Sequence, residues 1–408
     1  MVKHPLRTTP AMRRIRVVFS IGAMHGGGSE RQMLLLLRHL DRQQFEPFLY
    51  LVYKSGPLLN QVPTDVPVTS FDTRVTASRI YFPGLMHARR VQDYSRFLQE
   101  VQADVSYDRT FLMTLISAAG AHKAGVPNVS TIVTDPETGF APVAGRFQWF
   151  KRKILHRLYN NSTQVLAVSD GAREAAIRFY GIQRDRIATL QNGVDVDWIQ
   201  QQATQAIQNT WWTGEKQVPT ASAVFRIVTA GRLNHQKGFH LLLDAVADLR
   251  QKFQEIEFRL AILGDGPHRS HLEKQIAALN LNETVQLIGF QDHAIAWYQS
   301  ADVFVLPSLV EGMPNVLLEA MACGTPVIAA DCRSGPAEIL DGGKYGSLVQ
   351  TGSVEELRDA VADLLMNASP TKQRAAEAKK HIAQHWSALL AAKRLGQILK
   401  RCVHRETS

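Results

Sequence analysis

The regular alternation of short apolar runs with helical segments restricts most strongly what this chain can fold into. The first run, at 15–20, enters a glycine turn and then a helical pattern from Ser29 to Leu40, for which Ser29 is the predicted N-cap. Further strand candidates lie at 47–52, 103–107, 128–134, 164–168 and 187–190. After a Gln- and Thr-rich stretch they resume at 225–230, 257–263, 284–288, 302–306, 326–330 and 346–349. This order predicts mostly parallel sheets with helices on both faces.

The length of 408 residues exceeds the roughly 100–200 residues of one domain, so we predict two. The expected fold class is α/β, with two Rossmann-like domains facing each other across a cleft. The predicted limits are a basic N-terminal tail at 1–14, a first domain at 15–210, a linker at 211–222 and a second domain at 223–385. A C-terminal helix at 386–408 is expected to pack back on the first domain.

Composition and charge narrow the class of partner. Hydrophobic residues make up 45% and charged residues 20%, which is ordinary for a soluble globular chain. The net charge of +9 favours phosphates, nucleic acid or an anionic membrane. There is no zinc-ligand spacing, RNA-binding aromatic signature or evident recognition helix, so we predict no nucleic-acid partner.

Targeting signals and cysteine spacing point to the cytoplasm. The apolar stretch at 17–24 is short and runs into glycines, which favours a first strand over a signal peptide. No run approaches the roughly 20 apolar residues of a spanning helix. Cys323, Cys332 and Cys402 show no CxxC spacing, so a reducing compartment is expected.

Two basic residues stand in the loop after the strand candidate at 225–230. Arg232 and Lys237 lie five residues apart in this strand-to-helix loop. Ligands of open parallel sheets bind at the carboxyl ends of strands. A guanidinium fork and a mobile ammonium could together neutralise a diphosphate. The alternative is a pair of solvated loop charges.

A pair of glutamates forms the second candidate constellation. Pro314 is typical of the first turn of a helix, which places Glu311 in the preceding loop and Glu319 inside the helix. Glu319 is the sole charge in an apolar helix, so we expect it to be buried with a hydroxyl donor such as a ribose diol. Glu311 lies near a positive helix terminus and could accept from sugar hydroxyls. The alternative is that Glu311 is a cap and Glu319 is salt-bridged.

These residues resemble the motif of family 4 glycosyltransferases with the GT-B fold, whose two glutamates are separated by seven residues. Segments at 168–169, 192–195, 230–233, 236–238 and 264–267 also resemble that family's motifs, in the expected order. The resemblance implies that Arg232 and Lys237 hold the donor diphosphate, Glu319 the ribose and Glu311 the transferred sugar. Catalysis is then assigned to Glu311, Arg232 and Lys237. The donor contacts are expected to include Gly312, Met313, Pro314 and Asn315.

The first domain carries weaker signals. Gly27 and Gly28 open a helix whose amides could face an anion, as in the family's glycine-rich loop; the alternative is a tight turn. Many members have a histidine after a later strand, but here Asp135 stands at about that place. Asp135 is either an acceptor or sugar contact or the cap of a turn.

We predict no metal and no cofactor, because the nucleotide-sugar is itself a substrate. Asp195 and Asp197 have an Asp-x-Asp spacing typical of metal-dependent transferases of another fold. They belong to the Asn-Gly-Val-Asp turn, and Arg232 and Lys237 already supply positive charge. The resemblance further implies a metal-independent reaction that retains anomeric configuration.

The expected function is transfer of a hexose from a UDP- or GDP-sugar to a saccharide or lipid-linked saccharide in polysaccharide, lipopolysaccharide or lipid-linked glycan assembly. The segment 145–159 mixes five basic residues with aromatic ones, which is typical of a helix on anionic lipid, so we expect peripheral attachment to the inner face of the cell membrane. The alternative for this segment is a helix with its apolar side in the core and its basic side in water. The alternative functions are a nucleotide-sugar epimerase of similar fold and a non-catalytic donor-binding subunit.

Overall fold

The structure, a computed structural model, describes residues 13–75, 84–214 and 223–404. The chain divides into two compact units. Unit 1 comprises the described residues within 1–130, 161–164 and 392–408, and unit 2 those within 131–160 and 165–391. Most of the predicted tail at 1–14 and residues 215–222 of the predicted linker lie outside the described residues.

The strands of the described residues form two parallel sheets. One has seven strands in the order β3-β2-β1-β4-β5-β6-β7, and the other has six in the order β10-β9-β8-β11-β12-β13. The strands are β1 Ile15–Ile21, β2 Phe45–Leu51, β3 Val68–Ser70, β4 Val105–Arg109, β5 Asn128–Ile132, β6 Gln164–Ala167, β7 Ile187–Thr189, β8 Ala223–Ala230, β9 Ile256–Leu263, β10 Val285–Gly289, β11 Val303–Leu306, β12 Val327–Ala330 and β13 Ser347–Val349.

Helices flank the sheets, as the alternating pattern predicts. They are α1 Gly28–His39, α2 Phe71–Arg74, α3 Leu85–Glu100, α4 Phe111–Ala124, α5 Pro136–Ala144, α6 Gln148–Asn161, α7 Asp170–Tyr180, α8 Val196–Ala203, α9 Thr210–Thr213, α10 Phe239–Lys252, α11 Arg269–Ala278, α12 Ala294–Ser300, α13 Asn315–Cys323, α14 Pro336–Ile339, α15 Val354–Met366, α16 Ala368–His385 and α17 Ala388–His404. Short 3-10 turns lie at Pro57–Gln61, Arg184–Arg186 and His235–Lys237.

Strands β11 and β12 are buried along their whole length, which explains why their sequences are continuous apolar runs. β1 pairs with β2 in a register that runs from Ile15 opposite Phe45 to Ile21 opposite Leu51. In unit 2, β8 pairs with β9 along all eight residues, and the core of this unit includes Ile227, fully buried on β8. The fold class predicted from the sequence, α/β with two Rossmann-like domains, is confirmed.

The structure differs from the sequence-based expectations at one helix start and at one short strand. Ser29 is not the N-cap of the first helix: α1 begins at Gly28, because Gly27 has an extended backbone and its carbonyl accepts from the Arg31 amide at 3.0 Å. Strand β3 was not predicted, because its three residues are too few to show a period-2 pattern. At the C-terminal end, the described residues form α16 and α17, which are separated only by Trp386 and Ser387.

The predicted domain limits remain predictions, but some residues at those limits are well placed in the fold. Trp211 and Trp212, which fall in the predicted linker, lie on α9 in unit 2, and both side chains are buried. At the other end of the chain, Gly396 of α17 lies against the Phe45 ring within unit 1.

The strand order places a topological switch point in the second sheet. From β8, the strands β9 and β10 follow toward one edge of the sheet, whereas β11, β12 and β13 follow toward the other edge. In sheets of this kind the loops after the two strands at the switch point diverge and leave a crevice that binds ligands. Those loops follow Ala230 of β8 and Leu306 of β11.

Candidate functional site

The two loops at the switch point are the ones that carry the predicted donor-site residues. The loop after β8 holds Arg232 and Lys237, and the loop after β11 holds Glu311 and leads into α13, which carries Glu319. All four residues belong to unit 2. The sequence therefore predicted correctly which strand ends carry them, although their roles toward a donor remain predictions.

Lys237 and Glu311 are in direct contact. The Lys237 ammonium donates to Oε1 of Glu311 at 2.6 Å, and the Ser308 hydroxyl donates to the same oxygen at 2.8 Å. Glu311 is 8% exposed and Ser308 is fully buried, whereas the Lys237 side chain is 23% exposed. A carboxylate removed from water needs such donors to remain charged. The contact links the two loops and presents the lysine at the surface of the site.

Close backbone packing joins the same two loops. Gly238 adopts a φ of +65°, and a Cβ at this position would lie 2.0 Å from the Pro307 carbonyl oxygen. The Leu309 amide donates to the Gln236 carbonyl at 2.8 Å. Only glycine fits such a left-handed position against a backbone atom. The Gln-Lys-Gly sequence thus fixes where Lys237 can reach Glu311.

A third segment reaches the site through Gly312. A Cβ on Gly312 would lie 2.4 Å from the Val133 carbonyl oxygen and 2.7 Å from the Thr134 Cα. The segment after β5, which leads to Asp135, therefore packs directly on the loop of Glu311. This contact could not be predicted from the sequence, because a glycine has no side chain whose type would indicate what packs against it.

Asp135 caps helix α5. Its side chain accepts from the Glu137 amide at 2.8 Å, and the residue is 2% exposed. This is the capping arrangement that the sequence analysis gave as the alternative to an acceptor or sugar contact. The contact with acceptor or sugar stays a prediction, supported by the position of Asp135 one residue after Thr134.

Helix α13 begins at Asn315, with Pro314 as its N-cap, so the predicted helix start is one residue early. Glu311 lies in the preceding loop and Glu319 inside the helix, as predicted. Glu319 is 8% exposed and sits among buried apolar residues of α13. The Asn192 side chain donates to Oδ1 of Asn315 at 2.9 Å, which ties the Asn-Gly-Val-Asp turn to the start of α13.

The remaining donor-loop residue, Arg232, is exposed. Its side chain makes no hydrogen bond or ion pair with residues in the described ranges, so its guanidinium is available to a ligand. The loop around it is held from the other side, because the Leu233 amide donates to the Asp265 carbonyl at 3.0 Å. The Gly264–Pro267 motif therefore supports the Arg232 loop.

Other predicted positions lie at the starts of helices. The Asp195 side chain accepts from the Trp198 amide and caps α8. Gly27 and Gly28 open α1 in unit 1, and their contact with a donor stays a prediction. Within 13–75, 84–214 and 223–404, no group of three or more His, Cys, Asp and Glu side chains has metal-binding geometry.

Two residues of the site were missed by sequence reasoning. Ser308 stands immediately after the strand end and three residues before Glu311, a position whose polar character in an apolar run could have been noticed. Glu338 accepts from the amides of Asp170 and Gly171 at 2.9 and 3.0 Å, at the N-terminus of α7. It is distant in sequence from that helix, so no local signal predicts it.

The two buried cysteines near the glutamates report the local electrostatics. Burial raises the pKa of Cys332 to about 12, and the Glu311 charge adds to this shift. Burial likewise raises the pKa of Cys323 to about 12, with the Glu319 charge as the next cause. Cys323, Cys332 and Cys402 are all buried, and none of the three forms a disulfide bond. Both thiols therefore remain protonated and unreactive at neutral pH.

The helices of the described ranges include none that is both long and apolar enough to cross a membrane. Exposed apolar side chains nevertheless cluster around the start of α6. Phe147, Trp149 and Phe150 are 75%, 68% and 56% exposed.

Two family models match the chain. The model of glycosyl transferases group 1 matches residues 215–381, and that of glycosyltransferase family 4 matches residues 26–198. The chain is 26% identical over 345 residues to the putative glycosyltransferase EpsF of Bacillus subtilis, which covers 78% of this chain and 79% of EpsF.

Two further relatives carry information about ligands in their names. An N-acetylgalactosaminyltransferase of Campylobacter jejuni that acts on a diphospho-undecaprenol-linked saccharide is 28% identical over 212 residues, covering 52% of this chain and 53% of that protein. The crystal structure of Anabaena HepE in complex with UDP superposes with a TM-score of 0.76 at 21% identity, over 95% of this chain and all of that one. This likeness shows the fold.

Proposed function

Because this chain belongs to the group 1, family 4 glycosyltransferases, we propose that it transfers a hexose-type sugar from a UDP- or GDP-sugar to a saccharide acceptor. The observation that supports the donor site best is the Lys237–Glu311 contact at 2.6 Å across the two loops of the switch point. It places a cation and a carboxylate together where ligands of such sheets bind.

The proposed roles follow from charge and exposure. The exposed guanidinium of Arg232 and the partly exposed ammonium of Lys237 bind the donor diphosphate and stabilise its charge as it leaves. Glu311 holds hydroxyls of the transferred sugar and keeps Lys237 oriented. Glu319, buried in α13, binds the ribose hydroxyls.

The donor contacts also include the backbone of 312–315. The amides at the start of α13 lie at the positive end of the helix, which favours an anionic ligand. Gly27, Gly28 and Asp135 complete the proposed contacts. HepE was crystallised with UDP, which supports a uridine diphosphate donor.

We propose that the reaction needs no metal, because Arg232 and Lys237 can supply the positive charge that the donor diphosphate requires. We also propose that it retains anomeric configuration, which the resemblance to family 4 implies. The acceptor is a lipid-linked saccharide of a polysaccharide, lipopolysaccharide or related glycan. The diphospho-undecaprenol substrate named for the Campylobacter relative supports this class. The exposed aromatic residues within the basic segment 145–159 support contact with an anionic membrane surface from the cytoplasmic side.

Saturation-transfer NMR against a panel of UDP-, GDP-, ADP- and dTDP-sugars tests the donor assignment. We expect one nucleotide class to bind, and Glu319→Gln and Lys237→Ala to weaken that binding. The matched control is Lys274→Ala, which removes an exposed lysine from α11. Equal binding by all variants would contradict the assignment. Conversion of the donor sugar without any acceptor would instead indicate an epimerase, and binding without turnover a donor-binding subunit.

A further inference from the structure

A cavity lies in unit 2 between α6 and the C-terminal end of α7. Its volume is about 350 Å³, which is within the usual range for small-molecule sites. None of the donor-loop residues lines it. It therefore needs an explanation apart from the donor.

One face of α6 supplies half of the cavity wall. Trp149, Arg152, Lys153 and His156 are spaced i, i+3, i+4 and i+7, which puts them on the same side of the helix. The opposite side of α6 is anchored in the core through Leu155, which is fully buried. The helix thus presents an aromatic ring and several basic groups to the cavity from a rigid base.

Arg152 is held in place by Phe179 of α7. Its Nε donates to the Phe179 carbonyl at 2.8 Å, and its guanidinium stacks over the Phe179 ring at 4.2 Å. Its two terminal nitrogens form no hydrogen bond with any residue in the described ranges. A guanidinium fixed at one edge and open at the other is preorganised to bind an anion.

Lys153 and His156 add two further donors. The Lys153 ammonium lies 4.7 Å from the centre of the Trp149 ring. The His156 Nδ1 lies 2.6 Å from the Tyr180 carbonyl oxygen, which can only accept, so Nδ1 carries the proton and Nε2 is left for a ligand.

The cavity carries net positive charge. Arg178, on its far wall, is paired at 3.0 Å with Glu137, a carboxylate that also pairs with Arg333 at 2.8 Å. Arg152 and Lys153 have no carboxylate within 4.0 Å among the residues that the structure describes. Two cations beside aromatic walls, without counter-ions, favour an anionic ligand with apolar or sugar-like neighbours.

We propose that this cavity binds a phosphate ester that belongs to the acceptor or to the membrane that carries it. A phosphate offers several oxygens to Arg152, Lys153 and His156 at once, whereas a carboxylate offers two. The inference rests on the proposed function, because it assigns the phosphate to the acceptor side of that reaction. It adds a specific subsite to the broader membrane contact of 145–159.

Methyl phosphate is the soluble probe, added to the full chain with saturating UDP so that the donor loops are occupied. The readout is the indole N–H NMR signal of Trp149, assigned with Trp149→Phe. We expect this signal to shift with methyl phosphate, and Arg152→Gln or Lys153→Gln to weaken the affinity by about ten-fold or more. The matched control, Arg157→Gln, removes a charge from the same helix outside the cavity and leaves the affinity for methyl phosphate unchanged.

Vesicles distinguish the two sources of phosphate. Phosphatidylcholine vesicles are compared with vesicles that also contain phosphatidylglycerol. A Trp149 shift that requires phosphatidylglycerol and Arg152 supports a lipid headgroup, whereas a shift with methyl phosphate alone supports the phosphate of the acceptor. The absence of any shift, or equal weakening by Arg157→Gln, would overturn the proposal.

The proposed function can fail separately. UDP binding and its sensitivity to Lys237→Ala are measured in the same samples. Loss of UDP binding with an intact response to methyl phosphate would reject the donor site and leave the cavity assignment standing, and the reverse result would reject only the cavity.

Discussion

Two buried carboxylates at the ends of strands illustrate how different surroundings lead to different roles. Asp108, near the end of β4 in unit 1, is fully buried. It accepts from four neutral groups: the hydroxyls of Thr114, Ser117 and Ser130 at 2.6, 2.7 and 2.8 Å, and the Asn128 amide at 3.3 Å. Those donors enclose the carboxylate and join the end of β4 to α4 and β5.

Glu311, past the end of β11 in unit 2, is instead paired with a charged and partly exposed group. One of its oxygens receives both the Lys237 ammonium and the Ser308 hydroxyl. A lysine on a flexible stem can move to a ligand, whereas the hydroxyl network of Asp108 cannot. Burial alone therefore does not identify a functional carboxylate. A charged and partly exposed donor, such as Lys237, distinguishes Glu311 from Asp108.

The largest expected effect is that of Lys237→Ala on donor binding. The substitution removes a charge-assisted contact to the diphosphate, so we expect UDP to bind roughly 10- to 100-fold more weakly. Isothermal titration calorimetry with UDP measures this, with Lys274→Ala as the exposed-lysine control. An unchanged affinity would show that Lys237 serves only to neutralise Glu311, which would make Glu311 as structural as Asp108.

Gly312→Ala is expected to have the next largest effect. Its Cβ would lie 2.4 Å from the Val133 carbonyl oxygen, and the displaced atoms are backbone, so the Glu311 loop and the segment after β5 must separate. Overpacking of this kind costs roughly 1–3 kcal/mol. We expect a lower free energy of unfolding together with weaker UDP binding.

Gly22→Ala is the matched control for that substitution, because a Cβ at Gly22 meets nothing within 4 Å. Urea unfolding followed by circular dichroism measures the stability of both variants. Normal stability and normal UDP binding in Gly312→Ala would mean that the packing of these segments does not position Glu311.

Asp108→Asn tests the structural side of the comparison through its pH dependence. Burial raises the pKa of Asp108, so the folded state binds more protons than the unfolded state above the ordinary value of 3.8. The contribution of this residue to the free energy of unfolding is therefore largest below pH 3.8. It falls as the pH rises from 3.8 through the raised pKa of the folded state. We expect Asp108→Asn to remove this decline in urea unfolding measured across pH.

Asp65→Asn should change the pH dependence of the free energy of unfolding in the opposite direction. Arg42 lowers the pKa of Asp65, so its small stabilising contribution is present at neutral pH and is lost as pH falls. If both variants gave the same pH trend, the difference between a carboxylate among neutral donors and one beside a cation would not govern their titration.

The sequence predicted one of these two carboxylates and not the other, for a physical reason. Glu311 belongs to a local motif in which a proline, a helix start and a second glutamate follow within eight residues, so spacing alone located it. Asp108 depends on Asn128 and Ser130, which are distant in sequence and reach it only because β4 and β5 lie together in the sheet.

The same distinction separates the parts of the fold that were predictable. Alternating strands and helices follow from local periodicity, and their order along the chain predicts mostly parallel sheets. The Val133 contact with Gly312 and the Arg152 contact with Phe179 join residues that are separated by many positions in the chain. A single sequence contains no signal for such pairs.

The smallest effect concerns Cys332, whose thiol reports the charge of Glu311. Burial raises its pKa to about 12, and the Glu311 charge contributes after burial, so Glu311→Gln should lower that pKa modestly. Alkylation with iodoacetamide, followed peptide by peptide in a mass spectrometer across alkaline pH, measures the change. Cys323 is the internal control, because Glu319 and not Glu311 is the carboxylate that raises its pKa. An equal change at both cysteines would indicate general loosening of unit 2. A change at Cys332 alone would show that the Glu311 side chain acts on this thiol locally, from the loop in which it also contacts Lys237.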